Sequence, residues 1–189
     1  MAVGLVKRPL TVEQFNRMID SRIIPENDRV ELIEGDIVEM APIGTRHASY
    51  VARVADVFRE FPAEFLLILV QSPIRLSPVT RVEPDVALVR RRADFYVSRL
   101  PGPEDILLVV EVGDTSLESD RAVKIPQYAR AGIPDAWLVD VTTDHVEVYR
   151  TPTPEGYQEL HRVAPGEVLS LHGFPGLVFP ASRIVGPLA

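Results

Sequence analysis

The sequence predicts an α/β fold in which helices sandwich a mixed β-sheet. Three observations carry that expectation. The elements run helix, hairpin, helix, three strands, helix, strand, strand. The run Ile106-Leu107-Leu108-Val109-Val110 lacks the alternation of a half-exposed strand, so it reads as a strand buried on both faces with helices above and below. His47, Val51, Val54 and Phe58 recur at helical spacing, which gives a helix with one face to lay on such a sheet.

Each element has a local reason. Thr11 is an N-cap for a helix to Asp20, with Phe15, Met18 and Ile19 on one side. Arg29–Glu34 and Asp36–Met40 alternate apolar and charged residues about Gly35, the pattern of a β-hairpin. Thr45 caps a second helix running to about Glu60, closed by Pro62. Phe65–Leu76, Val82–Val89 and Ile106–Val112 are the three strands, and Arg90-Arg91-Arg92 to Leu100 is helix or loop between them. Ser119 or Asp120 opens a helix ending near Gly132. Asp135–Val141 and His145–Arg150 are strands, and the proline-rich remainder reads as small β pieces covering an edge.

Composition narrows the class. A chain of 189 residues suits one domain spanning 1–189. With 46% hydrophobic and 25% charged residues it is ordinary globular protein. No apolar run reaches the roughly 18 residues of a membrane span. Residues 1–9 do not read as a signal peptide. The absence of cysteine excludes disulfides and zinc–thiolate sites and makes the cytoplasm the expected location. A net charge of −7 argues against a broad basic surface for holding phosphates. Eighteen of the 20 basic residues are arginine, so the one internal lysine, Lys124, stands out.

Two carboxylates sit where they are costly. Asp85 begins the strand Pro84-Asp85-Val86-Ala87-Leu88-Val89, and Glu111 ends Leu107-Leu108-Val109-Val110-Glu111-Val112. Each alone reads as a partly hydrated strand end. As a pair on neighbouring strands they repel, and a divalent cation with oxygen ligands resolves the repulsion.

Together with the segments Arg29-Val30-Glu31-Leu32-Ile33-Glu34-Gly35, Asp120-Arg121-Ala122-Val123-Lys124, Tyr128-Ala129-Arg130-Ala131-Gly132 and Trp137-Leu138-Val139-Asp140, these residues resemble the PD-(D/E)XK nuclease superfamily. More narrowly, the chain is similar to a bacterial family described as putative restriction endonucleases, over roughly residues 11–180. The resemblance implies a restriction-endonuclease-like fold and a magnesium- or manganese-dependent enzyme that hydrolyses DNA. It implies Asp85 and Glu111 as metal ligands, with the backbone carbonyl of Val112 as a third, and Glu31 as a lower-ranked site residue.

Three departures matter. The superfamily lysine would fall at position 113, which is Gly113; Lys124 on the following helix is the candidate substitute, or else a surface lysine near a helix start. Asp114-Thr115-Ser116 stands where many relatives have Ser-Pro-Ser. Pro126 sets Lys124 just before the regular helix. His47 faces the sheet from the preceding helix, as a ligand, proton carrier or phosphate contact, or as a core histidine with one hydrogen bond. Arg90-Arg91-Arg92 is the single basic cluster and a phosphate-contact candidate, or a solvated loop. The sequence therefore reads as a DNA nuclease. The alternative is a catalytically inactive, homo-oligomeric binding or scaffold protein of the same fold, and a third option is a phosphodiesterase for another substrate.

Overall fold

The computed structural model describes residues 8–25, 27–61 and 63–186. Pro62 and most of the N-terminal segment read above lie outside these. Helix α1 (Val12–Asp20) starts as expected: Thr11 Oγ1 accepts from the Gln14 N–H, and Gln14 Oε1 accepts from the Thr11 N–H, a capping box. Its apolar side buries Val12 and Phe15. Strands β1 (Val30–Ile33) and β2 (Asp36–Glu39) form the hairpin. Its turn takes positive φ at both central residues, Glu34 (52°) and Gly35 (84°), the geometry that suits the twist of the strands. A Cβ at Gly35 would run into Pro9, so glycine is required twice over.

Helix α2 (Thr45–Phe58) follows, buried along Val51, Val54 and Phe58. Its N-cap is Gly44, not Thr45, and no side chain caps it. Two expected strands each divide in two. Phe65–Leu76 becomes β3 (Leu66–Val70) and β4 (Ile74–Ser77), because Gln71 takes a φ of 44° and Pro73 follows. Val82–Val89 becomes β5 (Thr80–Val82) and β6 (Val86–Arg90), separated at Glu83-Pro84, where proline has no N–H for a ladder. The halves belong to different sheets. Strands β2-β1-β5-β4 form a small sheet, while β3 and β6 belong to the main one. Residues 91–100 are turns, without helix.

The main sheet is completed by β7 (Ile106–Gly113), β8 (Asp135–Asp140), β9 (His145–Thr153) and β10 (Gly156–Val163), in the order β10-β9-β8-β7-β6-β3. All pairs are antiparallel except β7 with β8, so the sheet is mixed. A parallel pair needs a crossover. It is helical and continuous, α3 (Leu117–Ser119), a π-helical turn (Asp120–Lys124) and α4 (Ile125–Arg130), opening two residues earlier than expected. Strands β11 (Val168–Leu171) and β12 (Phe174–Pro180) make a separate two-stranded sheet, whereas β10 extends the main sheet rather than merely covering it.

All eight residues of β7 are buried, as the unalternating run required. On one face Val86, Leu88 and Val110 pack with α2 and Trp137; Phe58, Trp137 and Phe179 stack within 5.9–6.3 Å of one another. On the other, Ala87, Val109 and Leu138 pack with Ile125 and Tyr128 of the crossover. No described helix is long and apolar enough to cross a membrane.

Candidate active site

The two divided strands create the site. The chain leaves the main sheet at Gln71 and returns at Asp85, and the Gln71 N–H donates to the Asp85 carbonyl at 3.0 Å. Strand β6 pairs with β7 through Val86 and Val110. One more step of that register sets Asp85 opposite Glu111. Asp85 and Glu111 both line a cleft of about 250 Å³ between the β1–β2 hairpin, the first turn of α2 and the crossover.

Asp85 is held from three sides. Its Oδ2 accepts from the Val112 backbone N–H at 2.9 Å and contacts His47 Nε2 at 3.0 Å, while Oδ1 accepts from Gln71 Nε2 at 3.3 Å. His47 therefore points from α2 into the site, and the Asp85 hydrogen bond raises its pKa. Its other nitrogen, Nδ1, is buried without a partner. Val112 meets Asp85 through its N–H; its side chain is buried in the core.

Glu111 is buried and shares a floor with Lys124. Lys124 Nζ lies 3.3 Å from Glu111 Oε1 and 3.1 Å from Glu31 Oε1. The Tyr128 hydroxyl donates to the same Glu111 oxygen at 2.5 Å. Glu31, the lower-ranked site residue, is 3% exposed and also accepts from the Glu83 N–H at 2.7 Å. It is buried because β1 is the inner strand, flanked by β2 and β5, and Lys124 compensates it. Position 113 cannot hold the superfamily lysine. A Cβ on Gly113 would strike the Leu117 side chain and approach its Cα to 2.9 Å, so the tight entry into α3 excludes a side chain there. The ammonium comes from the π-helical turn instead.

The electrostatics follow from this crowding. Seven carboxylates and two permanent cations, Arg29 and Lys124, line the cleft. Burial, reinforced by Asp120, Asp85 and Glu31, pushes the Glu111 carboxyl well up, against the pull of Lys124. Burial likewise raises Asp120 and Glu83. Burial alone would lower Lys124, but Glu111, Glu31 and Asp120 outweigh it and raise its pKa, so it stays an ammonium. Carboxylates left short of positive charge in a cleft are a hard-oxygen donor set that suits a divalent cation. Asp85 and Glu111 would hold it; among the described residues no group of three or more His, Asp or Glu side chains converges as a ready-made cage.

The structure thus brings together Asp85, Glu111, Lys124, His47 and Glu31, and adds Tyr128, Gln71 and Asp120. Tyr128 and Asp120 lie four residues either side of Lys124, a helical spacing that signals a shared face. Gln71 had no such signal. The arginine cluster is elsewhere. Arg90 lies at the far end of β6 from Asp85, five residues or roughly 17 Å away. Arg91 binds the Ala63 carbonyl and Arg92 pairs with Asp94.

Residues 12–182 match the model of the Uma2 family, described as "Putative restriction endonuclease". The fold is similar to the crystal structure of a "putative nuclease belonging to DUF820" from Anabaena variabilis, with a TM-score of 0.74 and 17% identity over 93% of this chain and 97% of that one. At that identity the likeness is one of fold, restriction-endonuclease-like and α/β. No curated protein matches.

Proposed function

The chain belongs to the Uma2 family, and from that premise we propose that it is a magnesium- or manganese-dependent nuclease hydrolysing DNA phosphodiester bonds. The observation that carries the reading is the pair Asp85 and Glu111, both buried on adjacent strands and both lining one cleft with an ammonium at its floor. The carboxylates of Asp85 and Glu111, with the Val112 carbonyl, are the proposed ligands. A bound dication would supply an activated water and offset charge on the phosphate.

The chain's own residues do the rest. Lys124, held by Glu31 and Glu111, is a fixed cation for a phosphate oxygen or the attacking water. Because it keeps its proton, it acts by charge and not as a base. His47, paired through Nε2 with Asp85, is the proposed proton carrier or phosphate contact beside the metal ligands. Glu31 positions Lys124. A DNA substrate and a sequence free of cysteine fit a cytoplasmic location.

The test is nicking of supercoiled plasmid with magnesium or manganese. The wild type should cleave, and Asp85→Asn and Glu111→Gln should lose cleavage and bind manganese much more weakly. A net charge of −7 and a glycine at position 113 favour a second reading, an inactive binding or scaffold protein of the same fold. A wild type that binds no metal and cleaves neither plasmid nor single strands would select it.

A further inference from the structure

Glu111 is gripped by one oxygen only. Its Oε1 takes both the Tyr128 hydroxyl, at 2.5 Å, and the Lys124 ammonium, at 3.3 Å. Its Oε2 takes no hydrogen bond among the described residues, yet it is not one of the buried polar atoms cut off from solvent without a partner. Glu111 lines the cleft, and Oε2 is the oxygen that Tyr128 and Lys124 leave available to it. The two donors to Oε1 differ in stiffness. Lys124 ends a flexible four-carbon stem and divides its charge between Glu31 and Glu111. Tyr128 has two side-chain torsions and no exposed surface, and its ring is clamped in the core between α4 and the sheet by residues such as Ile125, Ile133 and Leu138. A phenol so held has one position for its oxygen.

We propose that Tyr128 is a positioning residue for divalent-metal binding, whose hydroxyl locks Glu111 through Oε1 and so aims Oε2 into the cleft. The inference rests on the reading of Asp85 and Glu111 as metal ligands. It assigns the rigidity of the site to the crossover helix and separates two jobs on one oxygen: Lys124 supplies charge, Tyr128 supplies direction. Hydrogen-bond partners of ligating carboxylates commonly control affinity in this way, and their loss costs about 10–100-fold in metal affinity.

The experiment is calorimetric titration of the full chain with manganese alone. It compares wild type, Tyr128→Phe, Glu111→Gln and the double variant. Tyr128→Phe should weaken binding about 10–100-fold. In the Glu111→Gln background the same change should alter residual binding by less than about twofold, because Tyr128 acts only through Glu111. Wild-type affinity in Tyr128→Phe overturns the proposal, as does an equal loss in both backgrounds, which would mark a packing effect. If Glu111→Gln weakens binding while Tyr128→Phe does not, the metal reading stands and only the positioning role falls. If the wild type binds no manganese, both fall. A second measurement needs no variant at residue 128. In the unmutated chain a tyrosine hydroxyl proton should appear far downfield in the proton spectrum, shift on adding magnesium, and vanish in Glu111→Gln. A spectrum without that proton, or one indifferent to magnesium, overturns the proposal even if Tyr128→Phe does not fold.

Discussion

Replacing Lys124 with methionine should expose how much of the stability rests on one ammonium. Lys124 is 12% exposed and its partners Glu31 and Glu111 are 3% and 2% exposed, so bulk water screens little of this contact. At separations of 3.1 and 3.3 Å each attraction is about 5 kcal/mol gross with an effective dielectric near 20. The net loss on removing Lys124 is smaller, about 3–5 kcal/mol, the usual cost of breaking a buried pair from one side. For a chain of this length that lowers the melting temperature by roughly 6–20 °C. The pH dependence has a definite sign. Burial already raises the Glu111 carboxyl against the pull of Lys124, and without that ammonium it rises further. A carboxyl raised in the folded state binds its proton more tightly there, so its penalty is absent below the unfolded value and grows as pH rises through the folded one. The deficit of Lys124→Met against wild type is therefore largest near pH 8 and shrinks toward about pH 5. Scanning calorimetry of both proteins across that range is the assay. A variant melting within about 2 °C of wild type near pH 8, or a deficit that grows on acidification, refutes the argument.

The remaining predictions are separate from that one. Gly113→Ala should destabilise by about 1–3 kcal/mol in urea unfolding, because its Cβ meets Leu117; an unchanged midpoint contradicts the close approach. Gly113→Lys should likewise fail to restore plasmid cleavage to Lys124→Met. Phe58→Ala, emptying the cluster with Trp137 and Phe179, should cost about 3–5 kcal/mol by the same method. Glu147 is buried between Arg121, Arg162 and Tyr149, which outweigh its burial and hold its carboxyl below the usual range. Its contribution is thus present above about pH 4.3 and fades as pH falls below that. Glu147→Ala should destabilise by about 3–5 kcal/mol near neutrality, far more than Arg162→Ala, whose side chain is 68% exposed.

Much of the fold was legible because local chemistry and tertiary structure agree. Thr11 and Gln14 cap α1 with their own side chains, and the apolar run of β7 needed only a core on both faces. The divided strands were less legible. The first half of Phe65–Leu76 is apolar and the second alternates about Arg75, and only Gln71 in a left-handed conformation, Ser72 and Pro73 separate them. Pro84 carried the other break in plain view. Within the site, Asp85, Glu111, Lys124 and His47 stood out as polar residues in apolar settings. Glu31 ranked lower and entered only through the resemblance, since a hairpin glutamate looks the same whether it faces water or an ammonium from roughly ninety residues later. Tyr128 entered only within a segment of the resemblance; it lies in the core, and the carboxylate at its tip gives it a second use.

The floor of the cleft joins Glu31 from the first hairpin to Lys124 from the crossover. That gives the protein a form of timing. During synthesis Glu31 is made first, Asp85 and Glu111 follow, and the ammonium that reconciles them comes after all three. The parallel strand β8, which fixes β7 from the far side, comes later still. A nascent or truncated chain ending before the crossover contains both acidic strands without the lysine. Such a chain holds the carboxylates of the cleft without the cation that compensates Glu31 and Glu111 in the folded protein.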